Sequence, residues 1–331
     1  MRRYITSLII TLIFGLSARA QEGIPVYFDY LADNYYLVYP SMAGIAEGTK
    51  IRLTARKQWF NVDEAPSLQT LNVNFRAGER SGVGVILFND SNGYHSQTGF
   101  KGTYAHHLQL AGDFRTLNQL SFGLSAGVIL SSLDETEFRS VIPDPVITGV
   151  KNTASYFNVD LGVSYSLFEF YAHAAVLNLL GSGRDLYTAA EFDNLRRYLL
   201  SAGYVFGRTT RIEPSVLFQM TDFTQEKTVD INAKVYRDVS FGTVWAGLSY
   251  RRSFDGAQFQ QNGGFGEQRL QLFTPIIGVN WDRFLFSYNY SYQSGDIRFD
   301  NGGFHQITLG YDFGQNDQSK RYDCYCPAAN N

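Results

Sequence analysis

Along residues 120–130 apolar and polar positions alternate one for one. Leu120, Phe122, Leu124, Ala126, Val128 and Leu130 share one parity; Ser121, Gly123, Ser125 and Gly127 share the other. A period of two is that of a β-strand with one apolar face. Residues 305–313 repeat it, with Ile307, Leu309, Tyr311 and Phe313 set against Gln306, Thr308, Gly310 and Asp312. The same criterion predicts about fourteen strands. They fall near 48–58, 67–75, 81–89, 97–109, 118–130, 155–167, 170–177, 198–206, 210–219, 228–236, 239–250, 267–280, 284–292 and 305–313. Many approach the roughly 9–11 residues that a tilted strand needs to cross a bilayer.

The links between these strands come in two kinds. Arg76–Arg80, Phe168–Glu169, Gly207–Thr209, Arg237–Asp238 and Trp281–Arg283 are short, and Ala111–Leu117 is the longest of their set. They alternate with longer links: Trp59–Pro66, Asp90–Ser96, Ser131–Ala154, Asn178–Arg197, Met220–Lys227, Arg251–Gly266 and Gln293–Phe304. Short turns on one side and long loops on the other describe a transmembrane antiparallel β-barrel of the outer membrane, with the short turns periplasmic. Lipid demands closure, because an open edge leaves backbone groups unsatisfied in hydrocarbon. A secreted soluble β-sandwich or propeller also alternates. It does not need loops segregated by side, nor aromatics near so many strand ends: Tyr104, Tyr165, Phe170, Tyr204, Phe206, Tyr250 and Phe284. Such residues form girdles at membrane interfaces.

Composition fits an all-β membrane chain. Of 331 residues 18% are charged, and Tyr, Phe and Gly number 22, 26 and 31. The formal charge of −3 offers no basic face for nucleic acid. After the first 20 residues no long apolar block follows, so membrane-spanning helices are excluded. Those first residues read as a secretory signal: Arg2 and Arg3, an apolar run from Tyr4 to Leu16, and Ala18-Arg19-Ala20 as the cleavage site. Residue 21 is Gln rather than Cys, which argues against a lipoprotein anchor. The expected organisation is a signal peptide over 1–20, an N-terminal periplasmic or plug segment over 21–47, the barrel over 48–313 and a periplasmic tail over 314–331.

Candidate chemistry is sparse. No HExxH, GxSxG or phosphate-loop motif occurs. His106 and His107 are adjacent on a strand and point to opposite faces, so they share no metal. A membrane hydrolase needs a Ser–His pair, and Ser155 with His173 on the neighbouring strand is the pairing considered. Asp63-Glu64 reads as a solvated loop. No cofactor or metal is expected, and the chain is not expected to be an enzyme. The inward faces read as Ser, Gly, Asn, Thr and Gln rather than rings of charge. A barrel of this strand count has a lumen wider than an eight-stranded one, whose own side chains fill it. Water, a folded-in loop (Ser131–Ala154 or Asn178–Arg197) or the N-terminal segment must therefore occupy it.

An ordered set of short motifs runs along the chain. It begins with Pro25-Val26-Tyr27-Phe28-Asp29-Tyr30, Asn34 and Tyr39-Pro40-Ser41-Met42-Ala43-Gly44. Arg56-Lys57-Gln58-Trp59, Ala65-Pro66-Ser67-Leu68-Gln69-Thr70, Gly82-Val83-Gly84, Asn89-Asp90 and Gln97-Thr98-Gly99 follow. Tyr104-Ala105-His106-His107-Leu108 comes next, and His305-Gln306-Ile307-Thr308-Leu309-Gly310-Tyr311 closes the set. This order resembles the PorP/SprF family, outer-membrane proteins of the Bacteroidetes type IX secretion system. Tyr39-Pro40-Ser41 departs from the family's usual Asn-Pro-Ala. The resemblance implies an integral outer-membrane barrel, surrounded by outer-membrane lipid. It also implies a barrel that binds, anchors or presents secreted proteins with a C-terminal sorting domain, and that contacts a peptidoglycan-linked periplasmic protein. In gliding bacteria some members are needed to display motility adhesins.

Contact residues can be argued physically. Arg56, Gln58 and Trp59 end the first strand at its outer side, and Pro66 opens the second; Trp and Arg are common interface anchors. The competing assignment makes Trp59 a girdle residue and Arg56 a lumen charge. Cys324 and Cys326 in the tail are set for partner docking or intermolecular pairing, or are plain tail residues, since a bridge between residues two apart is strained. The alternative function is a general porin for small solutes.

Overall fold

The computed structural model describes residues 31–58, 65–110, 117–136, 149–181, 195–222, 224–261, 264–294 and 303–314, the side chains of 255–268 excepted. Fourteen antiparallel strands among them close into one barrel, each paired to its sequence neighbour and the last to the first. They are β1 Thr49–Gln58, β2 Ser67–Gly78, β3 Ser81–Asn92, β4 His95–Gln109, β5 Asn118–Asp134, β6 Lys151–Leu167 and β7 Phe170–Leu177. β8 Arg197–Tyr204, β9 Thr210–Thr221, β10 Lys227–Val239, β11 Gly242–Gln261, β12 Gly264–Trp281, β13 Phe284–Ser294 and β14 Gly303–Phe313 complete the wall.

The alternation decides what surrounds this wall. On β2, Thr70, Asn72 and Asn74 are buried inside while Leu71 and Phe75 are exposed outside. On β5, Gln119, Ser121 and Ser125 are buried, and Phe122, Leu124, Val128 and Leu130 stand outside. Apolar side chains outward and polar ones inward is the inverse of a soluble barrel and matches a lipid-facing one. Phe75, Tyr104, Phe170, Tyr204, Phe206, Trp281, Phe284 and Phe313 project outward near the short turns, where an interfacial girdle sits. No helix among the described residues is long and apolar enough to cross a membrane; the strands cross it.

Three expectations need correction. The link Asp90–Ser96 is a two-residue hairpin at Gly93-Tyr94, with Asn92 paired to His95. Gly93 holds a positive φ of 59°, which suits glycine in such a turn. Arg251–Gly266 is not a loop: β11 runs to Gln261 and β12 begins at Gly264, with a register irregularity between Arg252 and Gly256. The third concerns the lumen, which is not lined by neutral polar residues alone. Arg52, Arg56, Asp160, Glu213, Asp230, Lys234 and Arg251 are all buried in it.

The strands differ greatly in height. β6 pairs with β7 only over Leu161–Leu167, so its first ten residues rise beyond the shorter β7. β11 and β12 likewise continue together beyond their ladders with β10 and β13. Both tall hairpins stand on the side away from the short turns.

Closure joins β1 to β14 over ten residue pairs. Across this seam Arg52 donates two hydrogen bonds to the Asp312 carboxylate, at 2.5 and 3.1 Å, and Thr54 and Thr308 share a hydroxyl contact of 3.1 Å. Replacing Asp312 with Ala leaves the buried guanidinium short of its partner. We expect a loss of about 1.5–3 kcal/mol, the range for a hydrogen bond to a charged group. It would be read as a lower temperature for losing the folded band in gel-mobility assays; an unchanged midpoint would show that the ladder alone holds the seam.

Candidate functional site

The segment before β1 lies inside the barrel. Its residues from Leu31 to Ala46 are buried except Leu37, which is partly so. It forms one helical turn, α1 (Tyr35–Val38), then a 3-10 turn at Pro40–Met42 with Pro40 in its first position. Proline there costs nothing, because the missing N–H is one that a first turn leaves unused. Its backbone bonds are local, such as Tyr39 N–H to Tyr35 O at 2.8 Å and Met42 N–H to Tyr39 O at 2.9 Å.

Polar side chains fix this plug to the wall. Lys234 Nζ lies 2.6 Å from Asp33 Oδ1 and 3.3 Å from Glu213 Oε2. Tyr35 and Tyr171 both donate to Glu213 Oε1, and Tyr236 donates to Glu213 Oε2 at 2.7 Å. Tyr36 donates to Thr103 at 2.8 Å and Tyr39 to Ser201 at 2.6 Å. Ser41 and Ser164 hydroxyls are 2.6 Å apart, and Asn72 donates to Asn34 at 3.1 Å. Gly44 N–H donates to Asn74, while His107 Nε2 meets Ala43 O at 3.1 Å. Asn74, His107, Ser164, Glu213 and Tyr236 all lie within a few residues of the short turns. The plug therefore fills the inner half of the lumen.

The wall is carved to receive it. A Cβ on Gly84 would strike the Tyr36 ring, one on Gly123 the backbone of Pro40 and Ser41, and one on Gly82 the Ala43 carbonyl. Gly123 and Gly162 pair across β5–β6, and both face Pro40. Apolar contacts complete the fit: Leu31, Tyr35, Val38, Tyr39 and Met42 pack with Leu199, Leu217, Trp245 and Ile276.

The Ser–His pairing considered from sequence is shifted. Ser164, not Ser155, faces His173, with Oγ 2.7 Å from Nδ1. Both are buried beneath the plug, with Ser41 on the other side of the serine. His106 and His107 do point to opposite faces: His107 is buried against Ser121, and His106 lies outside beside Tyr104. No group of His, Cys, Asp and Glu able to hold a metal occurs among the described residues.

Of the residues proposed as contacts, Arg56 and Gln58 turn inward near the outer end of β1. Arg56 lies 5.1 Å from the Phe304 ring centroid, so its charge belongs to the lumen. Pro66 is half-buried at the start of β2 and accepts from Gln58 N–H at 2.9 Å. Trp59, Cys324 and Cys326 lie outside the described residues, as do Asp63-Glu64 and most of the two loops considered as plugs. Missed from the sequence were Asp33, Glu213, Lys234 and Asp230 with Arg251. The two latter make a doubly hydrogen-bonded pair at 2.6 Å. For the four on strands, the available signal was a charge at an inward-parity position of an otherwise alternating strand; Asp33 lies on no strand and offered none.

Comparison with known proteins places the chain. A family model described as type IX secretion system membrane protein PorP/SprF matches residues 19–311. The chain belongs to the PorP/SprF family. Among curated proteins none matches it. Its barrel is similar in fold to two mutants of the TodX monoaromatic hydrocarbon channel. The deltaS2S3 mutant has a TM-score of 0.52 and the deltaS2 mutant 0.50. Each is 10% identical, with 85% of this chain and 94% of that chain covered. This likeness concerns the fold. The PorP/SprF chain is thus an integral outer-membrane barrel of type IX secretion with its inner half filled.

Proposed function

We propose that this PorP/SprF barrel acts by binding rather than catalysis. It anchors or presents secreted proteins that carry a C-terminal sorting domain, motility adhesins among them in a gliding host. At its short-turn face it meets a peptidoglycan-linked periplasmic protein. Family membership over residues 19–311 carries the reading. The tall β5–β6 and β11–β12 hairpins support it, since they give the outer side an uneven platform on which a protein can seat. The plug counts against a standing porin for small solutes, because it fills the inner half of the lumen. Ser164 and His173 then serve the plug's seat.

The test is purification from native outer membranes in mild detergent, with co-purifying proteins identified by mass spectrometry. Stoichiometric recovery of a large secreted protein with a sorting domain supports the reading; a clean barrel without a partner removes it. Deleting residues 314–331 is expected to leave the barrel inserted while the periplasmic protein is lost. Unchanged recovery would clear the tail, with Cys324 and Cys326, of any docking role.

A further inference from the structure

The plug shares no ladder with the wall. The β1–β14 seam closes without it, and each strand finds both neighbours among the other strands. The segment can therefore leave without breaking a sheet hydrogen bond. Several wall groups that hold it also hold one another. Glu213 keeps Tyr171, Tyr236 and Lys234. Thr103 keeps Ser125, His107 keeps Ser121, and Ser164 keeps His173. The seat under the plug thus carries polar groups that keep partners of their own, beside the apolar Leu199, Leu217, Trp245 and Ile276.

The attachment is also jointed. Two residues, Glu47 and Gly48, join the plug to β1; Gly48 holds a positive φ of 79°, and Gly44 in the plug's last turn one of 63°. Such conformations are free to glycine and strained for other residues. Among the described residues, side-chain contacts and a few backbone groups rather than a ladder hold the plug to the wall, and its own backbone bonds stay within its short turns.

We propose that residues 31–46 form a gate. The segment leaves its seat as a unit about Gly48 and opens a polar passage for small solutes through the barrel, while the fourteen-strand ladder stays intact. With Asp33 withdrawn, Lys234 retains Glu213, so the opened wall carries a balanced pair and the passage discriminates little by charge. The gate is a property of the barrel itself and is tested without cargo.

The test uses the full chain with Cys324→Ser and Cys326→Ser, to which Ser41→Cys and Ser164→Cys are added. The native hydroxyls are 2.6 Å apart, so the paired sulfurs are within reach of a bridge. Bridge formation is checked by mass spectrometry and barrel folding by gel mobility. In proteoliposomes loaded with an uncharged sugar, the reduced protein is expected to release the sugar and the oxidised protein to hold it, a drop of about tenfold or more for an equilibrium shifted by one local opening. Equal release in both states, or none in either, overturns the gate. If the bridge does not form, hydrogen exchange of the unmodified protein decides. The amides of Tyr39, Met42 and Ile45 are expected to exchange about 100-fold faster than β5 amides at the same depth. Equal protection overturns the proposal.

Discussion

Replacing Lys234 with Met is expected to destabilise the barrel by about 3–5 kcal/mol, the cost of removing one partner from a buried ion pair. Lys234 sits between Asp33 and Glu213, and all three side chains are 3% exposed or less. Its ammonium also lies within 6 Å of the Tyr35, Tyr236 and Trp245 rings. Met fills nearly the same volume, so packing changes little and the effect isolates the charge. Two carboxylates would then face each other in the lumen. The plug carries one of them, so its departure is the relief open to the structure. Glu213→Gln is the matched control: it keeps the Lys234–Asp33 contact, and we expect a loss of about 1–2 kcal/mol from the weakened hydrogen bonds. Unfolding midpoints in urea measure both. A Lys234→Met midpoint equal to that of the unmodified protein would mean that the triad contributes nothing to stability.

Gly123→Leu is expected to expel the plug and leave the wall standing. Its Cβ would lie against the Pro40 carbonyl and the Ser41 nitrogen, backbone atoms that cannot rotate away. Leucine suits an alternating strand, and the β5 ladder with β4 and β6 does not depend on the residue's side chain. In planar bilayers the variant should therefore pass ions continuously, while its folded gel band persists. Gly102→Ala is the control. Its Cβ would meet nothing nearer than the Ala126 carbonyl at 4.0 Å, so it is expected to behave as the unmodified protein, without the continuous current. A Gly123→Leu barrel as tight as its parent would show that the plug shifts within the lumen rather than leaving it.

Much of this architecture is legible in residue order because lipid imposes a strict rule. Every membrane-facing position must be apolar, so Leu71, Phe122 and Ile307 announce both the strand and its outward face. Beyond the bilayer that constraint lapses. β3 continues through Asp90, Ser91 and Asn92, and β11 past Arg252, with no alternation in hydropathy to show it. Gly93, the first of the two turn residues, was a hairpin signal, masked by the polar residues around it. The interior obeys no such rule either. A Lys and a Ser are equally acceptable at an inward position, and only the partner decides. Lys234 is stable because Asp33, some 200 positions earlier, is delivered to it by a segment that has no periodicity of its own. Arg56 resembled an interface anchor by residue type, yet its parity with Arg52 and Thr54 already placed it inside.

The seam between β1 and β14 also governs how such a chain comes to be made. Arg52 and Asp312 are 260 residues apart, and contacts of that separation form late, since the intervening chain must first be confined. Until then β1 and the growing end of the sheet each expose a row of unpaired backbone groups, a state prone to pairing with other chains. The segment that fills the lumen precedes β1, so it is present from the beginning of synthesis. Its partners on β4, β6, β9 and β10 lie later in the chain, so presence alone does not seat it: the plug finds its place only as those strands gather around it.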